Sequence, residues 1–109
     1  MEDPDAMTVS ANELQQELAR TEATMTQVVR RAGRGRDPEF DRRLDRHARS
    51  LRAMLDADGL VVAMDTIEAA RRAMDAADPA APLMMLAMSR ENLAAVVRRQ
   101  ISRAVDRAA

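Results

Sequence analysis

The chain has 109 residues, 47% of them hydrophobic and 32% charged, and its 17 basic residues, all arginine, nearly balance 18 acids. It contains no Cys, Trp or Tyr, which excludes disulfides, thiolate nucleophiles and cysteine-based zinc sites. A length of this order fits one domain. The sole aromatic residue is Phe40, so side chains able to stack on nucleic-acid bases are scarce.

The first predicted element is a long helix over residues 10–32. Residues 1–9 are acidic at their start and are predicted to form a disordered lead. Ser10 to Glu13 has the pattern of a capping box, in which both side chains satisfy backbone N–H groups at a helix start. Apolar residues then recur at spacings of three and four as far as Ala32. Gly33 is predicted to end the helix and to open a flexible connector over 33–36.

Three further helices are predicted over 38–57, 60–77 and 82–106. Asp37-Pro38 pairs an N-cap carboxylate with proline at the first helical position. Asp58-Gly59 is predicted to close the second helix, although Asp58 is equally suited to cap the third. Asp78-Pro79 begins the last clear break. Two alternatives stay open: the second and third helices form one bent rod, or residues 82–88 form a separate helical turn.

These elements predict an all-α protein, an up-and-down bundle of three to four amphipathic helices in one domain over residues 10–107. Short connectors favour antiparallel neighbours. Its core is thin because 22 apolar residues are alanine, and small helical domains often compensate by oligomerising. We therefore predict a protein partner or a homo-oligomer.

Charge alternates along the chain in blocks. Residues 1–29 and 53–79 are net acidic, by five and four charges, whereas 30–52 and 80–109 are net basic, by five and three. Adjacent antiparallel helices of opposite sign would attract one another and favour one pairing order. The alternative is that the basic block of 30–52 forms an arginine face for phosphate or for an acidic partner.

The connector at 30–36 is the candidate site for contact with an anion or with nucleic acid, through Arg30, Arg31, Arg34 and Arg36. Arginines can grip phosphates, and Arg-Gly-Arg can enter a narrow minor groove. The connector is similar to the Arg-Gly-Arg-Pro core of an AT-hook, but Asp37 occupies the proline position. Residues 14–33 also match a helix-turn-helix weakly, with Ala23 where that turn usually has glycine. The alternative interpretation is a solvated helix end whose arginines complement the helix dipole.

Two runs, 60–64 and 83–88, are apolar on every helical face. A helix that buries only one stripe exposes its other faces to water, where apolar residues are unfavourable. These runs are therefore either central in the bundle or face another chain. Methionine-rich surfaces are flexible and accept partner helices. The candidate partner-binding residues are Val61, Val62, Met84, Met85 and Met88.

The sequence predicts no catalytic residues, metal site, cofactor or small-molecule substrate. His47 is the only histidine, and its position between Leu44 and Leu51 on an apolar stripe favours a structural role. Neither a glycine-rich phosphate loop nor a Glu-x-x-His pair of di-metal bundles is present. We therefore predict a protein that is not an enzyme.

The predicted function is that of a small interaction module, such as an adaptor, an assembly subunit or a chaperone-like protein, acting through helix–helix contacts. The alternative is a DNA-binding or nucleoid-associated regulator that uses the arginines of 30–52. The longest apolar run, Leu83 to Met88, is far shorter than the ~20 residues that cross a bilayer, so no membrane contact is predicted. The acidic start lacks the features of a secretory signal. We expect a bacterial cytoplasmic protein, with export without a cleaved signal left open.

Overall fold

A computed structural model describes the backbone of residues 4–108 and the side chains of residues 11–107. Four helices follow one another: α1 over Pro4–Arg30, α2 over Pro38–Met54, α3 over Ala57–Asp75 and α4 over Ala80–Ala108. The described part of the chain contains no strand. The predicted all-α bundle is therefore confirmed, with four helices rather than three.

The helix α1 begins at Pro4, six residues before the predicted start at Ser10. Residues 4–9, predicted to be a disordered lead, thus belong to α1, and residues 1–3 lie outside the described part. The sequence explains the earlier start, because Asp3-Pro4 repeats the Asp37-Pro38 signal and proline lacks an N–H that the first turn leaves unpaired anyway. The Ser10 capping box lies inside the helix and does not mark its start.

The corner between α2 and α3 lies at Leu55 and Asp56, so the two helices do not form one bent rod. The cap of α3 is Asp56, which accepts a hydrogen bond from the Gly59 amide at 3.1 Å. The prediction that Asp58-Gly59 closes α2 is therefore wrong, because both residues lie in the first turn of α3. The side-chain amide of Gln100 on α4 also donates to the Met54 carbonyl at 2.7 Å, which ties α4 to this corner.

The last helix, α4, is continuous from Ala80, so residues 82–88 do not form a separate turn. The Asp78 side chain accepts from the Ala80 amide, and the Leu83 amide donates to the Pro79 carbonyl at 2.8 Å. These bonds begin the helix two residues earlier than predicted. At about 1.5 Å per residue, its 29 residues span about 43 Å.

The four helices alternate in direction, and α3 has more buried residues than any other described helix. Both α1 and α3 contact all three other helices, whereas α4 contacts only α1 and α3 among the described elements. One core cluster centres on Met25, Leu44, Ile67 and Leu86, and a second on Leu14, Leu51, Leu93 and Val97. The bundle measures 53 × 23 × 20 Å.

The connector between α1 and α2 is joined to the end of α3. Gly33 and Gly35 have φ angles of 80° and 94°, in the left-handed region that favours glycine. Their amides donate to the carbonyls of Ala73 and Met74 at 2.9 and 2.8 Å. Those carbonyls belong to the last turn of α3, where intrahelical partners run out. The connector predicted to be flexible is thus held against a third helix.

Candidate protein-interaction site

Three large apolar side chains lie exposed together on the first half of α4. Met84, Met85 and Met88 are 67%, 54% and 61% exposed. They share one side of the helix because residues three and four apart are neighbours on a helix surface. We call these three residues the methionine face.

The methionine face is the start of a longer outward stripe on α4. The inner side of the helix is marked by Leu86, Leu93 and Val97, which are buried in the core. On the opposite side, helical spacing continues the methionine face through Asn92 and Ala95 to Arg99. The outer side of α4 is therefore apolar in its first half and basic further along.

The other apolar run, 60–64, is placed differently. Val61 is 62% exposed on the outer side of α3, between the exposed carboxylates of Asp58 and Asp65. Val62 is half-buried and packs against the second core cluster. Most of the apolar residues of this run are therefore buried or half-buried within the bundle.

Val61 also lies apart from the methionine face. The Thr66 hydroxyl bonds to the Val62 carbonyl at 2.9 Å and lies 3.3 Å from the Ser89 carbonyl, which aligns Thr66 with Ser89 across α3 and α4. With antiparallel helices, that alignment places Val61 about 9 Å along the bundle axis from Met88. Of the five predicted partner-binding residues, the structure groups the three methionines and separates the two valines.

Two arginines of the connector are engaged within the bundle. Arg31 forms an ion pair with Asp37 at 3.0 Å, and its guanidinium carbon lies 4.8 Å from the centroid of the Phe40 ring. Arg36 forms an ion pair with Asp41 at 3.4 Å. Both acids lie at the start of α2, so these arginines help to join the connector to that helix.

The other two predicted contact residues, Arg30 and Arg34, are exposed and form no ion pair with the described residues. They project from the end of α1 and from the connector. The structure thus leaves two of the four arginines available to an external anion. A phosphate at Arg31 or Arg36 would have to compete with a carboxylate already in place.

A buried polar cluster joins α1 to α2. His47 on α2 contacts two residues of α1: its Nδ1 atom lies 3.0 Å from a Glu17 carboxylate oxygen, and its Nε2 atom lies 2.8 Å from the Thr24 hydroxyl. The same carboxylate oxygen accepts a hydrogen bond from the Thr21 hydroxyl at 3.1 Å. With a proton on Nδ1 the imidazole donates to the Glu17 carboxylate, and Nε2 can pair with the Thr24 hydroxyl in either direction.

The contacts among Thr24, His47 and Glu17 follow the order of a nucleophile, base and acid in a hydrolytic triad. Catalysis by such a set requires a substrate at the hydroxyl, and Thr24 is 6% exposed. The cluster joins α1 to α2 through the contacts of His47 with Glu17 and Thr24, and the structural role of His47 stays a prediction.

Sequence reasoning missed Glu17 and its two threonines. Glu17, Thr21 and Thr24 are spaced by four and three residues, so they share one side of α1 beside the apolar stripe. All three are buried. The sequence did contain a signal for this cluster: polar residues at helical spacing along α1, together with a single histidine on the apolar stripe of α2.

Two surface clefts are lined mainly by charged side chains of both signs. One is lined by Arg36, Arg71 and Arg72 together with Glu68 and Asp75. The other lies between α1 and α4 at Glu22, Arg90 and Glu91, with two alanines. Within the described residues, no group of three or more acidic, histidine or cysteine side chains could hold a metal ion. None of the described helices is long and apolar enough to cross a bilayer.

Comparison with known proteins gives no relative: no family model, curated protein or solved structure matches the chain.

Proposed function

We propose that the protein is a small, non-catalytic interaction module that binds another protein surface through helix–helix contact on α4. The observation that carries this proposal is the grouping of Met84, Met85 and Met88, each more than half exposed, on one side of that helix. A lone exposed apolar residue is ordinary on a protein surface, but a contiguous patch usually marks an interface.

The chemistry of the methionine face favours a helical partner. Methionine is unbranched and polarizable, so it adapts to the irregular surface of another helix. Amphipathic helices are recognised through anchors spaced three, four and seven residues apart, and the three methionines include pairs that are three and four residues apart. Bulk apolar contact supplies the affinity in such an interface.

The exposed arginines in the second half of α4 would help to orient the partner. Arg98 and Arg99 are exposed and form no ion pair with the described residues. They lie about three turns beyond Met88 on the same helix. Charges at the edge of an apolar interface orient the partner and raise the association rate more than they raise the affinity.

The proposal is tested by photo-crosslinking in the native host. A photoreactive amino acid at Met84 is expected to capture a protein partner, and the same group at Val61 is not, although Val61 is equally exposed. Adding Met85→Glu should abolish the capture, because it places a carboxylate in the apolar contact. Equal capture at both positions, or capture that survives Met85→Glu, would contradict the proposal.

A DNA-binding function remains the second candidate because Arg30 and Arg34 are exposed and unpaired among the described residues. A gel-shift titration against random duplex separates the two functions. Phosphate binding weakens steeply between low and moderate salt, whereas an apolar interface changes little. Tight, salt-sensitive binding that is lost in Arg30→Gln/Arg34→Gln would favour the DNA-binding function and count against the interaction module.

A further inference from the structure

We propose that Met84, Met85 and Met88 form a reversible oxidation site, at which peroxides convert the thioethers to sulfoxides and sulfoxide reductases convert them back. Oxidation turns the methionine face from apolar to polar and leaves the four-helix fold intact. The modification itself needs no partner. Its effect on binding rests on the proposed function, because it acts on the same surface.

Exposure divides the described methionines into distinct groups. The three of the methionine face are each more than half exposed. Met25 and Met74 are 0% and 1% exposed in the first core cluster, and Met54 and Met64 are half-buried against the second. A peroxide reaches a buried thioether only when the structure opens locally. The folded chain should therefore be oxidised first at the methionine face.

The sequence contains no thiol that would react before these thioethers. Cysteine thiolates are common targets of peroxides, and exposed sulfur atoms are oxidised more readily than buried ones. The chain has no Cys, and it has no Trp or Tyr either. The three exposed thioethers are thus the most accessible oxidisable groups among the described side chains.

The chemistry of the site is a two-electron oxygen transfer. The thioether sulfur attacks one oxygen of hydrogen peroxide, the O–O bond breaks and an S–O bond forms. The proton on the transferred oxygen passes to the departing hydroxide, so the sulfur loses two electrons and water is released. In the reverse step, two thiols of a reductase give up two electrons and two protons, the sulfoxide oxygen leaves as water, and the thiols become a disulfide.

The sulfoxide changes what the methionine face can contact. Its oxygen is a hydrogen-bond acceptor that water satisfies on the free surface, so the folded chain tolerates it. Buried against an apolar surface, the same oxygen would lose its hydrogen bond to water, which is unfavourable. Because the three side chains share one side of α4, their sulfoxides would all act against the same contact.

Peptide mapping after treatment of the full folded chain with dilute hydrogen peroxide tests the site. Cleavage before aspartate residues places all three face methionines in residues 78–105 and Met74 in residues 65–74. Each face methionine should gain oxygen at least about tenfold faster than Met74, since Met74 reacts only through opening of the bundle. In urea-unfolded chain, the matched control, the rates should agree within about twofold.

Two further measurements test whether the modification is confined to the surface and reversible. Oxidation of the methionine face should leave the helical circular dichroism unchanged and shift Tm by less than about 3 °C, because these side chains are already mostly in water. The two methionine sulfoxide reductases, one for each sulfoxide epimer, should restore the unmodified mass without unfolding the chain.

The effect on binding is measured with the protein that the photoreactive group at Met84 captures. A chain carrying that group is oxidised at Met85 and Met88, freed of peroxide and then mixed with this protein. Capture should fall at least about tenfold and recover after treatment with the reductases.

Oxidation of Met74 as fast as the methionine face, or loss of helical structure when only the face is oxidised, overturns the oxidation site. Sulfoxides that the reductases leave in place on the folded chain overturn its reversibility. Capture that is unchanged by oxidation overturns the effect on binding. If no protein is captured even before oxidation, the proposed function fails, and the peptide map alone decides the oxidation site.

Discussion

The two all-round apolar runs, 60–64 on α3 and 83–88 on α4, have similar compositions and different surroundings. On α3 the run exposes Val61 alone among its large residues, because helices lie against α3 on three sides. On α4 it exposes three methionines, because only α1 and α3 lie against it. Apolar residues in excess of one buried stripe are exposed only where no other helix packs against them. Which of them are exposed therefore depends on the topology of the bundle and not on the composition of the run.

The sharpest contrast lies within the α4 run, between the buried Leu86 and the exposed Met85. Leu86→Ala should lower the free energy of unfolding by about 3 kcal/mol, because it leaves a cavity in the first core cluster. Met85→Ala should change the stability of the monomer by less than about 0.5 kcal/mol. Urea denaturation at low protein concentration measures both. Similar losses for the two variants would mean that Met85 is buried in solution.

A second contrast sets the polar α1–α2 contact against the apolar contacts of α3 and α4. His47→Leu should cost about 2 kcal/mol, because the Glu17 carboxylate, 5% exposed, loses its imidazole partner. Glu17→Leu/His47→Leu should recover most of that loss, since an apolar pair of similar shape leaves no buried charge. Thermal and urea unfolding of the two single variants and the double variant form the cycle. A double variant less stable than His47→Leu would refute this account.

Substitution in the connector that contacts the end of α3 should also lower the stability of the protein. Gly33→Ala should destabilise the protein by about 1 kcal/mol, because its φ of 80° is unfavourable for a residue with a Cβ atom. The added Cβ would itself meet only ordinary van der Waals neighbours at 3.5 Å. Denaturant unfolding measures the change. A stabilising substitution would show that the connector adopts another backbone conformation.

The smallest effects on stability are expected at two exposed apolar residues, Val61 on α3 and Met84 in the methionine face. Val61→Gln and Met84→Gln should each change the stability of the monomer by less than about 0.5 kcal/mol, because both side chains are already mostly in water. With the partner of the methionine face bound, Met84→Gln alone should lower the apparent Tm, since binding adds stability by mass action. Equal Tm shifts for the two variants would remove the distinction between these faces.

Much of the fold was predictable from local signals. Asp37-Pro38 marks the start of α2 correctly, and Gly33 and Asp78 lie within three residues of helix ends, because caps and breakers act on their own neighbours. The boundary at Asp58-Gly59 failed because Asp56, two residues before Asp58, makes the cap, and the two extended residues Leu55 and Asp56 separate the helices. Nothing in the local sequence ranks one of two nearby aspartates above the other.

The site was less predictable because it depends on which helices touch. Periodicity flags Val62 and Met85 alike, but the core takes up Val62 and leaves Met85 outside. The pairing of Glu17 with His47 spans 30 residues, a separation at which sequence spacing carries no geometric information. The arginine connector was visible in the sequence, but the engagement of Arg31 with Asp37 and Phe40 required the fold.

The two amide bonds from the connector to α3 have a consequence for the folding of the chain. Gly33 and Gly35 find their acceptors, the carbonyls of Ala73 and Met74, about 40 residues downstream. These two amides of the turn between α1 and α2 therefore gain their protein acceptors only when α3 has docked. Hydrogen exchange at these two loop amides should be slow and should report the opening of the whole bundle, although exposed loops usually exchange first.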